Sequence, residues 1–121
     1  EVTQKRLAWL DQRRPRLEPP VSPRAAFELL FFDYMGLPPA ELPVIQETDS
    51  RIVWLSGNPC PTLAACQQLG LDTRQVCRAV YEQSTQAFLT CLDPRLRFWR
   101  SYEEIRPHAS HCWEMIERVM E

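Results

Sequence analysis

Between Ser22 and Gly36 apolar positions run almost unbroken: Phe27, Leu29, Leu30, Phe31, Phe32, Tyr34 and Met35, interrupted by Glu28 and Asp33. Ser22 and Pro23 suit an N-cap and a first helical residue, and Gly36 suits a left-handed C-cap ahead of Pro38 and Pro39. The pattern predicts a helix that is apolar nearly all round, and such a helix is buried on several sides. Core packing explains it; a homodimer interface through Phe27–Met35, or the wall of an apolar pocket, is the alternative.

Two β-favouring runs follow, 44–48 and 51–56, joined by Asp49-Ser50, and predict a hairpin. Ile52 and Trp54 fall on one face, Val53 and Leu55 on the other, so both faces look covered. Gly57-Asn58-Pro59 ends the second strand. Cys60 then occupies an N-cap position before Pro61, opening a short helix that Gly70 closes. Asp72 caps a longer helix over about 73–92, with an apolar stripe of Val76, Val80, Ala87 and Cys91. Asp93-Pro94 stops it. Leu96 and Phe98 alternate with polar neighbours as in a strand. The stretch from Cys112 to Met120 fits neither period cleanly and reads as strand or helix. The fold class this predicts is α+β: a small antiparallel sheet, hairpin plus C-terminal strands, packed against three or four helices.

The first 23 residues differ. Lys5, Arg6, Arg13 and Arg14 make them basic; Thr3 to Arg14 reads as a short helix with Leu7 and Leu10 on one face, which Pro15, Pro19, Pro20 and Pro23 then break. They read as a solvated N-terminal arm and linker, with residues 24–121 as a single domain. The chain's 121 residues and 45% hydrophobic content allow a real core without disulfides or metals. A net charge of −2 gives no general drive toward nucleic acid or acidic membranes. No apolar run approaches a membrane span and no secretory leader is visible. Five cysteines, an odd number without dense pairing, suggest reduced thiols in the cytoplasm.

Helix position sorts those cysteines. Cys66 and Cys91 fall on apolar stripes and read as core filling. Cys60 sits at a helix start, where free amides and the dipole favour a thiolate. Cys77 lies off the predicted stripe, and Cys112 follows His111 at the start of the last element. Cys60, Cys77 and Cys112, with His111 as a fourth partner, are therefore the candidates for binding a metal (zinc or an iron–sulfur cluster) or a small molecule. No C-x-x-C knuckle supports the metal version. Cys60 with His108 or His111 would suit nucleophilic hydrolysis. Arg97, Arg100 and Arg106 form a candidate anion-binding set.

Residues 61–81 also read as helix-turn-helix, with Thr73, Arg74, Gln75 and Arg78 on the exposed front of the second helix. The acidic net charge does not favour this nucleic-acid reading.

One resemblance spans most of the chain from about Ala25. Cys60-Pro61 after a strand, Cys77 in the following helix, the run Leu92-Asp93-Pro94-Arg95-Leu96-Arg97-Phe98 and the late Cys112 resemble the L-2-amino-thiazoline-4-carboxylic acid hydrolase-like family. More distantly they are similar to vinyl-reductase-type small-molecule-binding domains. The acidic residue expected directly after the last cysteine comes one place later, as Glu114. The resemblance implies an α+β domain with a ligand pocket between sheet and helices. It implies hydrolysis of a cyclic amidine-like small molecule as one activity.

Overall fold

The computed structural model describes residues 2–13, 18–58 and 60–119. Arg14 and Pro15, read above as part of the basic arm and its break, lie outside them, as does Pro59. The fold is α+β, as the pattern predicts. Helix α1 spans Val2–Arg13. Helix α2, Pro23–Phe27, continues without a break into a π-helical segment, Glu28–Tyr34. A 3₁₀ turn at Pro39–Glu41 leads to the hairpin β1, Val44–Thr48, and β2, Arg51–Ser56. Helix α3 is Pro61–Leu69. Helix α4, Thr73–Val76, passes through a second π-helical segment, Cys77–Tyr81, into α5, Glu82–Leu92. Strands β3, Leu96–Arg100, and β4, Cys112–Arg118, complete the fold. No described helix is long and apolar enough to cross a membrane.

The sequence-level caps form as their residue types dictate. Ser22 Oγ accepts from the Ala25 N–H at 3.1 Å, and Asp72 accepts from the Arg74 N–H at 2.9 Å. Gly36 and Gly70 stand at φ +69° and +71°, the left-handed region where a Cβ would be strained.

The sheet is wholly antiparallel with strand order β1-β2-β4-β3. The ambiguous last element is thus a strand, and a central one. It pairs Trp54 with Glu114 and Ser56 with Cys112 on one edge, and Arg100 with Glu114 on the other. Residues two apart on a strand share a face. Ile116, Glu114 and Cys112 therefore line up on the helix-covered side with Ile52, Trp54 and Ser56.

An aromatic cluster fills the centre of the core. The Trp54 ring lies 4.6 Å from Phe27 and 5.0 Å from Phe31, centroid to centroid, and all three side chains are fully buried. The apolar helix thus spends Phe27, Leu30 and Phe31 on the chain's own core.

Helix α1 joins that core, contrary to the expectation of a solvated segment. Leu10 is buried, and Arg6 is only 5% exposed, giving its Nη1 to Thr85 Oγ1 on α5 at 2.9 Å. Cys91, expected in the core, is exposed. The inner face of α5 is instead Ser84, Thr85, Phe88, Leu89 and Leu92. Inward positions 73, 77, 81, 85 and 89 recur every four residues, and an α-helix drifts by about 40° per such step. The wider π turn at Cys77–Tyr81 absorbs that drift, so a stripe drawn with strict α-periodicity falls on the wrong residues.

Asp93 ties the N-terminal and C-terminal parts together. Its carboxylate accepts from the N–H groups of Val21 and Arg95, both at 3.0 Å, and from Arg118 Nη1. Arg118 also donates to the Val21 carbonyl at 3.1 Å. Burial alone would raise the carboxyl's pKa, but these donors outweigh it and hold it at about 2. A depressed folded-state value stabilises the protein above the ordinary aspartate pKa, and the contribution fades as pH falls toward 2. Asp93→Asn should therefore cost roughly 2 kcal/mol at pH 7, and the difference from wild type should shrink between pH 4 and pH 2. Urea unfolding of both proteins at pH 7 and pH 2.5 checks this; an equal difference at both would refute the assignment.

Candidate functional site

One end of the sheet face is not filled by side chains. There a cavity of about 470 Å³ opens between the sheet, α3, the α4–α5 helix and the loop before β4. Cys60, Cys77 and Cys112 all line it. Cys60 comes from the N-cap of α3, with extended backbone (φ −127°, ψ 116°) and no capping bond of its own. Cys77 opens the second π segment. Cys112 begins β4, opposite Ser56. The three cysteines thus come from separate elements, and a small apolar cluster of Cys77, Cys112 and Ile105 forms part of the wall.

The thiols are not equivalent. Burial pushes the Cys77 thiol up to about 11, a shift that nearby Arg100 opposes and the neighbouring cysteines reinforce. Cys112 Sγ accepts from both the backbone N–H and Nε of Arg106, each at 3.4 Å. Arg106 in turn gives Nη1 to the Asn58 carbonyl at 2.6 Å, so one guanidinium joins the loop after β2 to the loop before β4. Thr73 Oγ1 donates to the Arg106 carbonyl at 2.7 Å and fixes the same loop to α4.

Glu114, which the resemblance met one place later than expected, lies in the cavity wall. It shares a strand face with Cys112, two residues on, while Trp113 points to the other side. Its side chain is 3% exposed and lies 3.6 Å from Arg100 Nη2, and Tyr81 donates its hydroxyl to Oε1 at 3.1 Å. Burial raises the Glu114 carboxyl's pKa despite the opposing pull of Arg100 and the hydrogen bonds from Ser56 and Tyr81. The Tyr81 phenol is held well above its ordinary value, first by burial and then by the Glu114 charge.

The other candidates go elsewhere. His111 lies outside the cavity wall, its Nε2 2.9 Å from Glu104 Oε1 and its Nδ1 3.2 Å from Ser110 Oγ. His108 Nε2 stands 3.6 Å from Asp72 Oδ1, so neither histidine meets Cys60 in the cavity. Arg97 is exposed and donates to the Pro94 carbonyl at 2.6 Å, whereas Arg100 and Arg106 both line the cavity. Among the described residues, no group of three or more histidine, cysteine, aspartate or glutamate side chains is arranged to hold a metal ion. Of the residues read as a DNA-facing front, Thr73 is buried, whereas Arg74, Gln75 and Arg78 are exposed, Arg78 lying 4.2 Å over the Tyr102 ring.

The sequence reading did not place Arg6 or Tyr81 in the site, and it met Glu114 only through the resemblance, one position late; once 112–118 is a strand, its place two residues after Cys112 puts it on the cysteine's face.

The burial of Cys77 predicts slow alkylation. With iodoacetamide at pH 8, peptide mass spectrometry should find exposed Cys91 modified at least ten times faster than Cys77 in the folded protein. Equal rates would contradict the packing described. No protein-family model, no curated protein and no solved structure matches the chain.

Proposed function

We propose that the protein is a small-molecule-binding domain whose ligand occupies the cavity bounded by Cys60, Cys77 and Cys112. The observation that carries this reading is that three cysteines, from three separate elements, line one cavity of about 470 Å³. That volume lies in the range of ordinary ligand pockets. Its wall also has the composition such pockets show: apolar groups from Phe31, Leu63 and Ile105, with a few fixed polar groups from Ser56, Tyr81 and Glu114.

Filling the cavity tests this. Leu63→Trp adds an indole to its α3 wall. A set of small aromatic and heteroaromatic fragments should give saturation-transfer signals with the wild type, and the variant should lose most of them while its melting temperature stays within a few degrees. Fragment binding that is indifferent to Leu63→Trp, or absent altogether, would defeat the proposal.

A second reading, hydrolysis of a cyclic amidine-like compound in the same cavity, draws on one further observation. Glu114, with its raised carboxyl pKa, faces the space that the Cys60 and Cys112 thiols also line. A carboxyl and a thiol lining one cavity are the residue types that thiol-dependent hydrolysis uses for proton transfer and attack. Turnover of a cyclic amidine that vanishes in Cys60→Ser or Cys112→Ser and in Glu114→Gln, with the fold retained, would support it. Unchanged turnover in all three would refute it.

A further inference from the structure

Cys112 stands out for what surrounds its sulfur. Two donors of one residue address it: the backbone N–H and the Nε of Arg106, each at 3.4 Å. Arg106 is itself fixed, through Nη1 to the Asn58 carbonyl and through its own carbonyl to Thr73. Both donors are therefore in place before any negative charge develops on the sulfur, and hydrogen bonds to a charged acceptor are the strong ones. Reactive cysteines occupy electropositive surroundings of this kind. The Cys112 side chain is only 6% exposed, but it lines the cavity, which is its route to a reagent of a few atoms.

A second thiol shares these surroundings. Cys77 and Cys112 pack with Ile105 in one small buried cluster and line the same cavity. They also share a cation. Burial first, and then the neighbouring cysteines, Cys112 among them, lift the Cys77 thiol. Burial alone would discharge Arg100, but Glu114, Tyr81, Cys77 and Cys112 together hold it charged. Cys66 lies outside the cavity wall and Cys91 is exposed on α5. An electrostatically assisted thiol with a second thiol in its own cluster is the arrangement that redox-sensing cysteines use.

We infer that Cys112 and Cys77 form a peroxide-responsive pair, in which a hydroperoxide oxidises Cys112 and Cys77 closes a disulfide with it. The Cys112 sulfur attacks the terminal oxygen of the hydroperoxide and the O–O bond breaks. The departing oxygen takes the thiol proton and leaves as water or an alcohol, and Cys112 becomes a sulfenic acid. Cys77 Sγ then attacks the Cys112 sulfur. The S–O bond breaks, water carries off the oxygen with the Cys77 proton, and the disulfide remains. Two thiols thus lose two hydrogen atoms and two electrons to one hydroperoxide. The Cys77 thiol, held up at about 11, is rarely ionised at pH 7, so the second step is the slow one. The cross-link would tie β4 to the second π segment, two walls of the cavity. None of this depends on the small-molecule reading above.

Hydrogen peroxide and the full chain supply the test. At pH 7 dimedone, which traps sulfenic acids, should label Cys112 at least ten times faster than Cys91 or Cys60. Without dimedone, peptide mapping should find a Cys77–Cys112 disulfide, and raising the pH from 7 to 9 should speed its formation. In Cys77→Ser that disulfide should be absent and the Cys112 sulfenic acid should persist. Arg106→Met should slow Cys112 labelling about tenfold with Cys91 unchanged, and Arg106→Lys should recover part of the rate. Cys112 labelling no faster than that of Cys91, or a disulfide that recruits Cys60 in place of Cys77, would overturn the proposal. If Arg106→Met does not fold, the wild type and Cys77→Ser decide. Fragment binding and its loss in Leu63→Trp are read separately, so failure of the thiol pair leaves the binding cavity standing.

Discussion

Strand β4 lies between β2 and β3, and its register on both edges sets what the cavity contains. Ladder pairing places Glu114 between Trp54 and Arg100, and Cys112 beside Ser56. A slip of one residue would turn Glu114 and Cys112 to the opposite face and bring Trp113 and Met115 inward. The apolar rows deeper in the sheet resist that slip. Ile116 sits between Ile52 and Phe98, and all three are buried against the helices. The hydrophobic half of the strand thus holds the register that the polar half uses. The two functions are physically separate along one seven-residue element.

The polar half is expensive. Arg100, Glu114 and Arg6 bring ionisable groups into a region that is otherwise aromatic and aliphatic, and each demands a partner. Tyr81 stands at the centre of the arrangement: its hydroxyl donates to Glu114 while its ring lies beside both guanidinium groups. Replacing such a network by apolar side chains often stabilises a protein. Its place in the cavity wall is what the proposed ligand-binding role would call for.

Much of this was legible in the sequence, and what was not has identifiable causes. The caps at Ser22, Asp72 and Gly70, the hairpin and the α+β class follow from local chemistry and period-two alternation, which need no tertiary context. Cys60 and Cys112 were distinguished by their positions at element starts, and both reach the cavity. Arg6 was illegible because a cation on a short basic helix looks the same whether it meets solvent or Thr85. Cys91 was misplaced because the stripe on its helix does not keep α-periodicity. Glu114 was obscured by the uncertain type of its own element. His111 looked like a partner of Cys112 because it is adjacent in sequence, yet adjacent residues near a strand point apart.

The two π-helical segments, Glu28–Tyr34 and Cys77–Tyr81, both feed side chains into the cavity wall: Phe31 from the first, Cys77 and Tyr81 from the second. A π turn holds one more residue than the α turn it replaces, so it behaves as an insertion that the helix has accommodated without breaking. Its presence makes the orientation of upstream and downstream faces separately adjustable. In α4–α5 the upstream face addresses the loop around Arg106, and the downstream face addresses α1 and the core. Chain length, counted in single residues, is therefore as direct a determinant of the cavity's shape as the identity of any side chain lining it.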